Sequence, residues 1–178
     1  MTQAPAARRG GAQLAMSAPW RPAYIALGSN LDGPREQVLA ACERIGRLPT
    51  TRIEARSRLY STRPMGPQDQ PDYINAAVGV VTHLAPKALL DALLEIERHM
   101  GRVRGAPWGA RRIDLDLVWV VGAVIEESGL SLPHPGVSSR NFVLYPLSDI
   151  APTLDIPGHG RVLELKARSA AEGISVVE

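Results

Sequence analysis

The segment Arg111-Arg112-Ile113-Asp114-Leu115-Asp116-Leu117 sets two carboxylates two positions apart, directly behind a pair of guanidinium groups. On an extended strand, residues two apart point to the same face. Asp114 and Asp116 then project together, about 6.6 Å apart at the backbone, while Ile113, Leu115, Leu117, Trp119 and Val121 cover a core-facing side. Two such acids repel unless a cation sits between them, because like charges raise one another's pKa. Oxygen ligands favour a hard cation, and Mg²⁺ usually takes only one or two carboxylates plus substrate phosphates. Paired metals in phosphoryl-type sites lie roughly 3.5–4 Å apart, a span two acids can straddle. An isolated Asp-x-Asp is still more often decoration of a half-exposed strand, so its surroundings decide.

Those surroundings favour phosphate. Arg98, Arg102, Arg104, Arg111 and Arg112 fall in one short stretch beside the acids, and guanidinium groups match phosphate oxygens in bidentate geometry. Residues 102–110 contain Gly105, Pro107 and Gly109, a composition suited to a lid over a polyphosphate. Trp108, at the tip of that segment, suits stacking on a planar ligand. Glu97 either orients these arginines or is a plain helix acid. His134, between Pro133 and Pro135, and Arg140, at the start of a short helix, are candidate anion contacts. Tyr73 and Asn75 share a strand face and offer a ring and an amide, apt for a flat heterocycle. Gly28-Ser29-Asn30 is a weak signal: no phosphate-binding glycine loop with a Walker-type lysine occurs in the chain.

The elements that position these residues follow from periodicity. The chain of 178 residues has 45% apolar and 21% charged residues, ordinary for one globular domain. Residues 1–20, rich in Ala, Gly, Pro and Arg, form a disordered tail, with Met16 an alternative start; residues 21–178 form a single domain without repeats. Arg8-Arg9 lacks the apolar core of an export signal. A strand over 23–27, a helix from Pro34 to near Gly46 and a strand over 52–60 come first. The Pro- and Gly-rich stretch 62–72 is a long stiff loop, and such loops are usually functional. A strand over 73–82 precedes the clearest helix, 86–100, whose stripe is Leu89, Leu93, Ile96 and Met100. A strand over 113–121 turns at Gly122 into a hairpin partner at Val124-Ile125. A short helix from about Ser138 has Phe142, Val143 and Leu147 inward, and the tail beyond Ala151 holds a terminal helix or strand. Helices with short connections and a hairpin indicate an α+β sandwich around a mostly antiparallel sheet. Cys42 is the only cysteine, which excludes an intramolecular disulfide and suits a cytoplasmic location. No apolar run approaches a membrane span.

Taken together, the residues resemble the 6-hydroxymethyl-7,8-dihydropterin pyrophosphokinase family of folate biosynthesis. The likeness runs from about Ala23 to Pro152. It is carried by Tyr-Ile-Ala-Leu-Gly-Ser-Asn at 24–30, Gly-Pro-Gln-Asp-Gln-Pro-Asp-Tyr-Ile-Asn at 66–75 and Gly-Arg-Val-Arg at 101–104. Trp-Gly-Ala-Arg-Arg-Ile-Asp-Leu-Asp at 108–116 and Leu-Pro-His-Pro at 132–135 complete it. The resemblance implies a ferredoxin-like α/β sandwich, two Mg²⁺ ions, and transfer of the terminal pyrophosphate of ATP to the pterin, leaving AMP. By position it implies metal binding at Asp114 and Asp116, with Arg102 and Arg111 catalytic. Nucleotide contacts fall to Glu97, Arg104, Arg111, Ile113, His134 and Arg140. The pterin pocket falls to Thr62, Pro64, Met65, Tyr73, Asn75, Trp108 and Phe142, with the pterin between the rings of Tyr73 and Phe142. Ala110 departs from the family's usual proline, Pro107 from a frequent arginine and Leu94 from an occasional glutamine, and the 102–110 loop is one residue shorter than in longer relatives.

A monomer acting on small molecules is expected, with no nucleic acid or membrane partner. A nucleotidyltransferase pairs its Gly-Ser turn and Asp-x-Asp close in sequence, whereas here Gly28-Ser29 and Asp114 lie far apart. An RNA-binding sheet needs an aromatic platform, and the single Phe and four Tyr are scattered.

Overall fold

A computed structural model describes residues 19–103 and 109–177. The expected lid residues Arg104, Gly105, Pro107 and Trp108, and residues 1–18 of the expected tail, lie outside them. Trp20, assigned to that tail, packs its ring on His83 at 3.9 Å between centroids.

The chain runs β1 (Arg21–Ser29), α1 (Pro34–Gly46), β2 (Thr51–Arg56), β3 (Leu59–Thr62), β4 (Tyr73–Thr82), α2 (Pro86–His99) and β5 (Asp114–Val120). A small hairpin, β6 (Ile125–Glu127) with β7 (Leu130–Leu132), leads to α3 (Asn141–Ile150). The tail adds β8 (Asp155–Ile156), β9 (Gly160–Arg161), α4 (Val162–Arg168) and β10 (Ile174–Val177). The main sheet has the order β10-β3-β4-β1-β5, with β2 also on β4, and every described strand pairing is antiparallel. This is the ferredoxin-like α+β order, with β2 and β3 sharing the place of one strand.

The strand expected over 52–60 is split. At the break, the Ala77 N–H donates to the Ser57 hydroxyl at 2.8 Å and the Ser57 N–H returns a bond to the Ala77 carbonyl. The side chain thereby replaces a ladder acceptor, and alternation alone cannot reveal that. The hairpin differs too: Ile125 pairs with Leu132 rather than with β5.

Helices α1 and α2 cover one sheet face. Val38, Ala41, Cys42 and Ile45 of α1 and Leu89, Leu93 and Ile96 of α2 are buried there against Ala23, Ile25 and Leu27. Each fully buried Leu or Ile contributes about 1.5–3 kcal/mol relative to exposure. Helix α3 covers part of the opposite face, where Ile150 and Tyr24 both pack over Gly79, and leaves the remainder open. Val143 and Leu147 are buried as expected, but Phe142 is only half-buried and turns toward that opening.

Parity along β5 holds only to Leu117. The register with β1 shifts between Tyr24 and Ile25, so that Leu117 opposes Ile25 but Trp119 opposes Tyr24. Val118 is the extra residue of a bulge, and its carbonyl accepts the His134 N–H at 2.8 Å.

Candidate active site

Cross-strand register builds the floor of the cleft. Asp114 lies opposite Gly28 and Asp116 opposite Ala26, and Gly28 on its other side meets Asn75. Cross-strand partners share a face, so two acids, two small residues and an amide line one surface. An added Cβ on Gly28 would lie 3.0 Å from Asn75 Oδ1. The open face forms a cleft of about 310 Å³.

Most of the expected residues converge on it. Thr62, Met65, Tyr73, Asn75, Arg102, Arg111, Asp114, Asp116, His134, Arg140 and Phe142 all line this cleft. Pro64 does not: it is buried under the loop, and its carbonyl accepts the Gln68 amide at 2.9 Å. Ile113 is fully buried in the core and is not among the residues lining this cleft. The apolar wall is formed instead by Leu90, Leu94, Leu117 and Leu130, in an adjoining depression of about 370 Å³ that shares Arg102, Asp114, Asp116 and His134 with the cleft. Glu97 faces this second side. Arg104 and Trp108 lie outside the described residues.

Charge is densely paired. Asp114 accepts from Arg102 at 2.6 Å and from Arg111 at 2.8 Å, and Asp116 meets Arg140 at 3.3 Å. Burial raises the pKa of Asp116, and the negative charge of Asp114 adds to it, against His134 and Arg140. Buried Glu97 accepts from Arg102 and from the Leu115 N–H, the latter at 2.6 Å. Burial nevertheless pushes Glu97 up to about 7, the Leu115 bond and Arg102 opposing and Asp114 adding. Burial opposes the charge on Arg102, but Asp114 and Glu97 outweigh it and raise its pKa. For His134 burial lowers the pKa, with Asp116 opposing. Its Nδ1 accepts the Gly136 N–H at 3.0 Å, so the neutral ring carries its proton on Nε2.

Gly28-Ser29-Asn30, weak as a motif, is a clasp. Asn30 Nδ2 donates to Gln70 Oε1 at 3.1 Å and to the Pro71 carbonyl at 3.0 Å, while its Oδ1 accepts the Arg111 N–H at 2.8 Å. Ser29 Oγ donates to the Arg112 carbonyl at 2.6 Å. One turn thus locks the stiff 63–72 loop to the lead-in of β5. Tyr73 reinforces the lock, its hydroxyl donating to the Gly109 carbonyl at 3.0 Å.

Sequence reasoning missed Ala26 and Arg63 in the cleft and the leucine wall beside it. A signal existed for the first: Ala26 and Gly28 are small residues at alternate positions of a strand, where a second body must approach. Leu90 and Leu94 are spaced by four on α2, off its buried stripe, which is a weaker cue.

The acids suit a hard divalent cation by donor chemistry: two oxygen ligands of like charge facing one cleft, the pKa of Asp116 raised by burial first and by the charge of Asp114 second. Among the described residues no cluster of three or more His, Cys, Asp or Glu forms a metal site. Two carboxylates fit a cation that completes its shell with substrate oxygens, as Mg²⁺ does.

Comparison with known proteins agrees with this geometry. The family described as 7,8-dihydro-6-hydroxymethylpterin-pyrophosphokinase (HPPK) matches residues 24–152. The chain is 47% identical over 151 residues to 2-amino-4-hydroxy-6-hydroxymethyldihydropteridine pyrophosphokinase of Pseudomonas aeruginosa, covering 85% of this chain and 93% of that one. The Haemophilus influenzae protein of the same name is 45% identical over 143 residues, covering 80% and 89%. Among solved structures, a Plasmodium falciparum HPPK-DHPS chain superposes with a TM-score of 0.68 at 15% identity, covering 86% of this chain and 44% of that one. At that identity the likeness speaks for the fold alone, and this chain spans less than half of that longer one. The chain belongs to the 7,8-dihydro-6-hydroxymethylpterin-pyrophosphokinase family, and its activity is pyrophosphoryl transfer to hydroxymethyldihydropterin in folate synthesis.

Proposed function

We propose that ATP is the donor, that Mg²⁺ binds at Asp114 and Asp116, and that the two substrates occupy the two sides of this carboxylate pair. The observation that carries the reading is the position of both acids at the shared border of the cleft and the leucine-walled depression. The pterin lies between Tyr73 and Phe142. Asn75, held by its Nδ2 bond to Thr62 Oγ1 at 2.7 Å, reads the heterocycle's edge together with the backbone of 62–65, and Gly28 leaves it room. The nucleotide base takes the depression walled by Leu90, Leu94, Leu117 and Leu130. The nucleotide's phosphates meet Arg102, Arg111, His134 and Arg140; by family position alone, Arg104 is assigned to the nucleotide and Trp108 to the pterin.

Two Mg²⁺ ions, when bound, neutralise phosphate charge and orient the polyphosphate. The protein's own work is positioning and electrostatics, as expected for phosphoryl-type transfer. Arg102 and Arg111, now paired with Asp114, lie where the charge of the polyphosphate arrives. His134 Nε2–H serves as a neutral donor. The pterin hydroxymethyl oxygen gives up its proton to solvent and forms a bond to the β-phosphorus as the bond from that phosphorus to the bridging oxygen of the α-phosphate breaks, and AMP departs with that oxygen.

We assign a monomer acting on small-molecule substrates. Cys42 is a buried free thiol, which suits a reducing compartment, and we assign the cytoplasm. No described helix is long and apolar enough to cross a membrane. Substrate-specific kinetics test the assignment. Tyr73→Ala and Phe142→Ala should raise KM for the pterin about tenfold or more, the size of 1.4 kcal/mol, and leave that for ATP nearly unchanged. Arg140→Ala should do the reverse. Parallel changes in both constants would contradict the two-sided reading.

A further inference from the structure

The last stretch of chain meets the cleft at two points. Beyond α4 the Ala170 carbonyl accepts the side-chain amide of Asn141 at 2.9 Å. Three positions on, the Gly173 carbonyl accepts the Arg63 N–H at 3.2 Å, and β10 then continues along β3 with Ile174 opposite Thr62. Gly173 has a φ of +74° and is covered by the Arg63 stem, whose Cδ would lie 3.7 Å from an added Cβ. A left-handed backbone of this kind favours glycine.

These anchor points are the roots of opposite walls. Asn141 stands between Arg140 and Phe142, and Arg63 between Thr62 and the turn carrying Met65. Arg140, Phe142, Thr62, Arg63 and Met65 all line the cleft. Residues 170–173 therefore form a tie of limited length, since three residues of extended chain reach only about 10 Å. The walls cannot part beyond that without losing a hydrogen bond. The floor is held from other directions: Glu97 of α2 bonds the Leu115 N–H, and Asn30 bonds the Arg111 N–H.

We infer that residues 170–173, anchored by β10, are a positioning element for the acceptor, setting the width of the slot between Phe142 on one wall and Tyr73 with the 62–66 backbone on the other. This rests on the reading that the pterin occupies that slot. The tie acts through the walls and touches no reacting atom, so it governs acceptor affinity more than turnover at saturation. Arg140 is additionally held by Asp116, which keeps the nucleotide side in place when the tie is loosened.

The experiment uses the full chain with Asn141→Ala, Asn141→Gln and the double variant Asn141→Ala with Gly173→Ala, and a version ending after Ser169. Steady-state kinetics give KM for each substrate and kcat, and pterin binding is titrated separately without nucleotide. Asn141→Ala should raise the pterin KM and dissociation constant about fivefold, the worth of one hydrogen bond. The double variant should raise them further, and kcat and the ATP KM should stay within about twofold. Asn141→Gln, which keeps the amide donor, should recover part of the affinity. The shortened chain should show the largest loss of pterin affinity; if circular dichroism finds it unfolded, the point variants decide. The tie is refuted if both KM values rise together, or if neither moves in the double variant while Tyr73→Ala still weakens pterin binding. If Tyr73→Ala also leaves pterin binding unchanged, the slot assignment itself falls, and the tie with it.

Discussion

Asp114 and Asp116 differ in what holds them. Asp114 is clamped by two arginines at 2.6 and 2.8 Å, whereas Asp116 has one longer contact and a raised pKa, from burial and from its neighbour's charge. A carboxyl whose folded pKa is raised lends relative stability at acid pH and costs stability once pH rises through that pKa. Asp116→Asn should therefore leave the melting temperature unchanged or higher at neutral pH, with the gain vanishing in acid. Its turnover should fall by about two to three orders of magnitude, the loss expected when one preorganised charge-stabilising group is removed. Differential scanning fluorimetry across pH beside initial rates checks both halves, and a destabilised but active variant would contradict them. Gly28→Ala probes the floor. Its Cβ would crowd Asn75 Oδ1 at 3.0 Å, so the pterin KM should rise with little change in melting temperature.

At the scale of elements, the clasp and the α3 anchor are what align the site. Asn30→Ala would strip the partners of the Arg111 N–H and loosen the Gln70–Pro71 turn. A buried donor left unpaired costs about 1–3 kcal/mol, and both substrate constants should worsen, since the clasp joins the acceptor loop to the phosphate-binding arm. Asp149 ties α3 to β3 by accepting from the Arg58 N–H and Nε and from the Tyr60 hydroxyl, at 3.1, 3.0 and 2.9 Å. Burial works against its charge, but the Arg58 and Tyr60 hydrogen bonds outweigh it and hold its pKa below the usual range. Tyr60 is correspondingly pushed up to about 12 by burial and by Asp149. A depressed carboxylate contributes stability above its unfolded pKa of about 4 and loses it as pH falls through the folded value. Asp149→Asn should cost about 1–2 kcal/mol at pH 7, the lower end because Arg58 is largely solvated. Urea titrations should find that gap closing toward zero in strong acid. None of this was legible in the residues alone: Arg58 and Asp149 carry no periodic signal, and their meeting depends on where α3 lands.

Across the whole molecule, what the sequence made readable was what strand parity and helix stripes control. The α2 stripe of Leu89, Leu93 and Ile96 and the paired faces of Asp114 and Asp116 follow from periods of 3.6 and 2 residues. What escaped depends on tertiary partners. Ser57 breaks a strand by supplying its hydroxyl to Ala77, Val118 bulges to present its carbonyl to His134, and Ile113 is sealed in the core while Leu117 lines the depression beside the cleft. The pterin itself came from family likeness, since spacing alone identifies a polyphosphate site without naming its acceptor. The most direct test of the account is to incubate the protein with Mg²⁺, ATP and 6-hydroxymethyl-7,8-dihydropterin and identify the nucleotide product. The account predicts AMP in a one-to-one ratio with pterin diphosphate, abolished by a chelator and by Asp116→Ala. ADP as product, or AMP formation that survives either treatment, would contradict it.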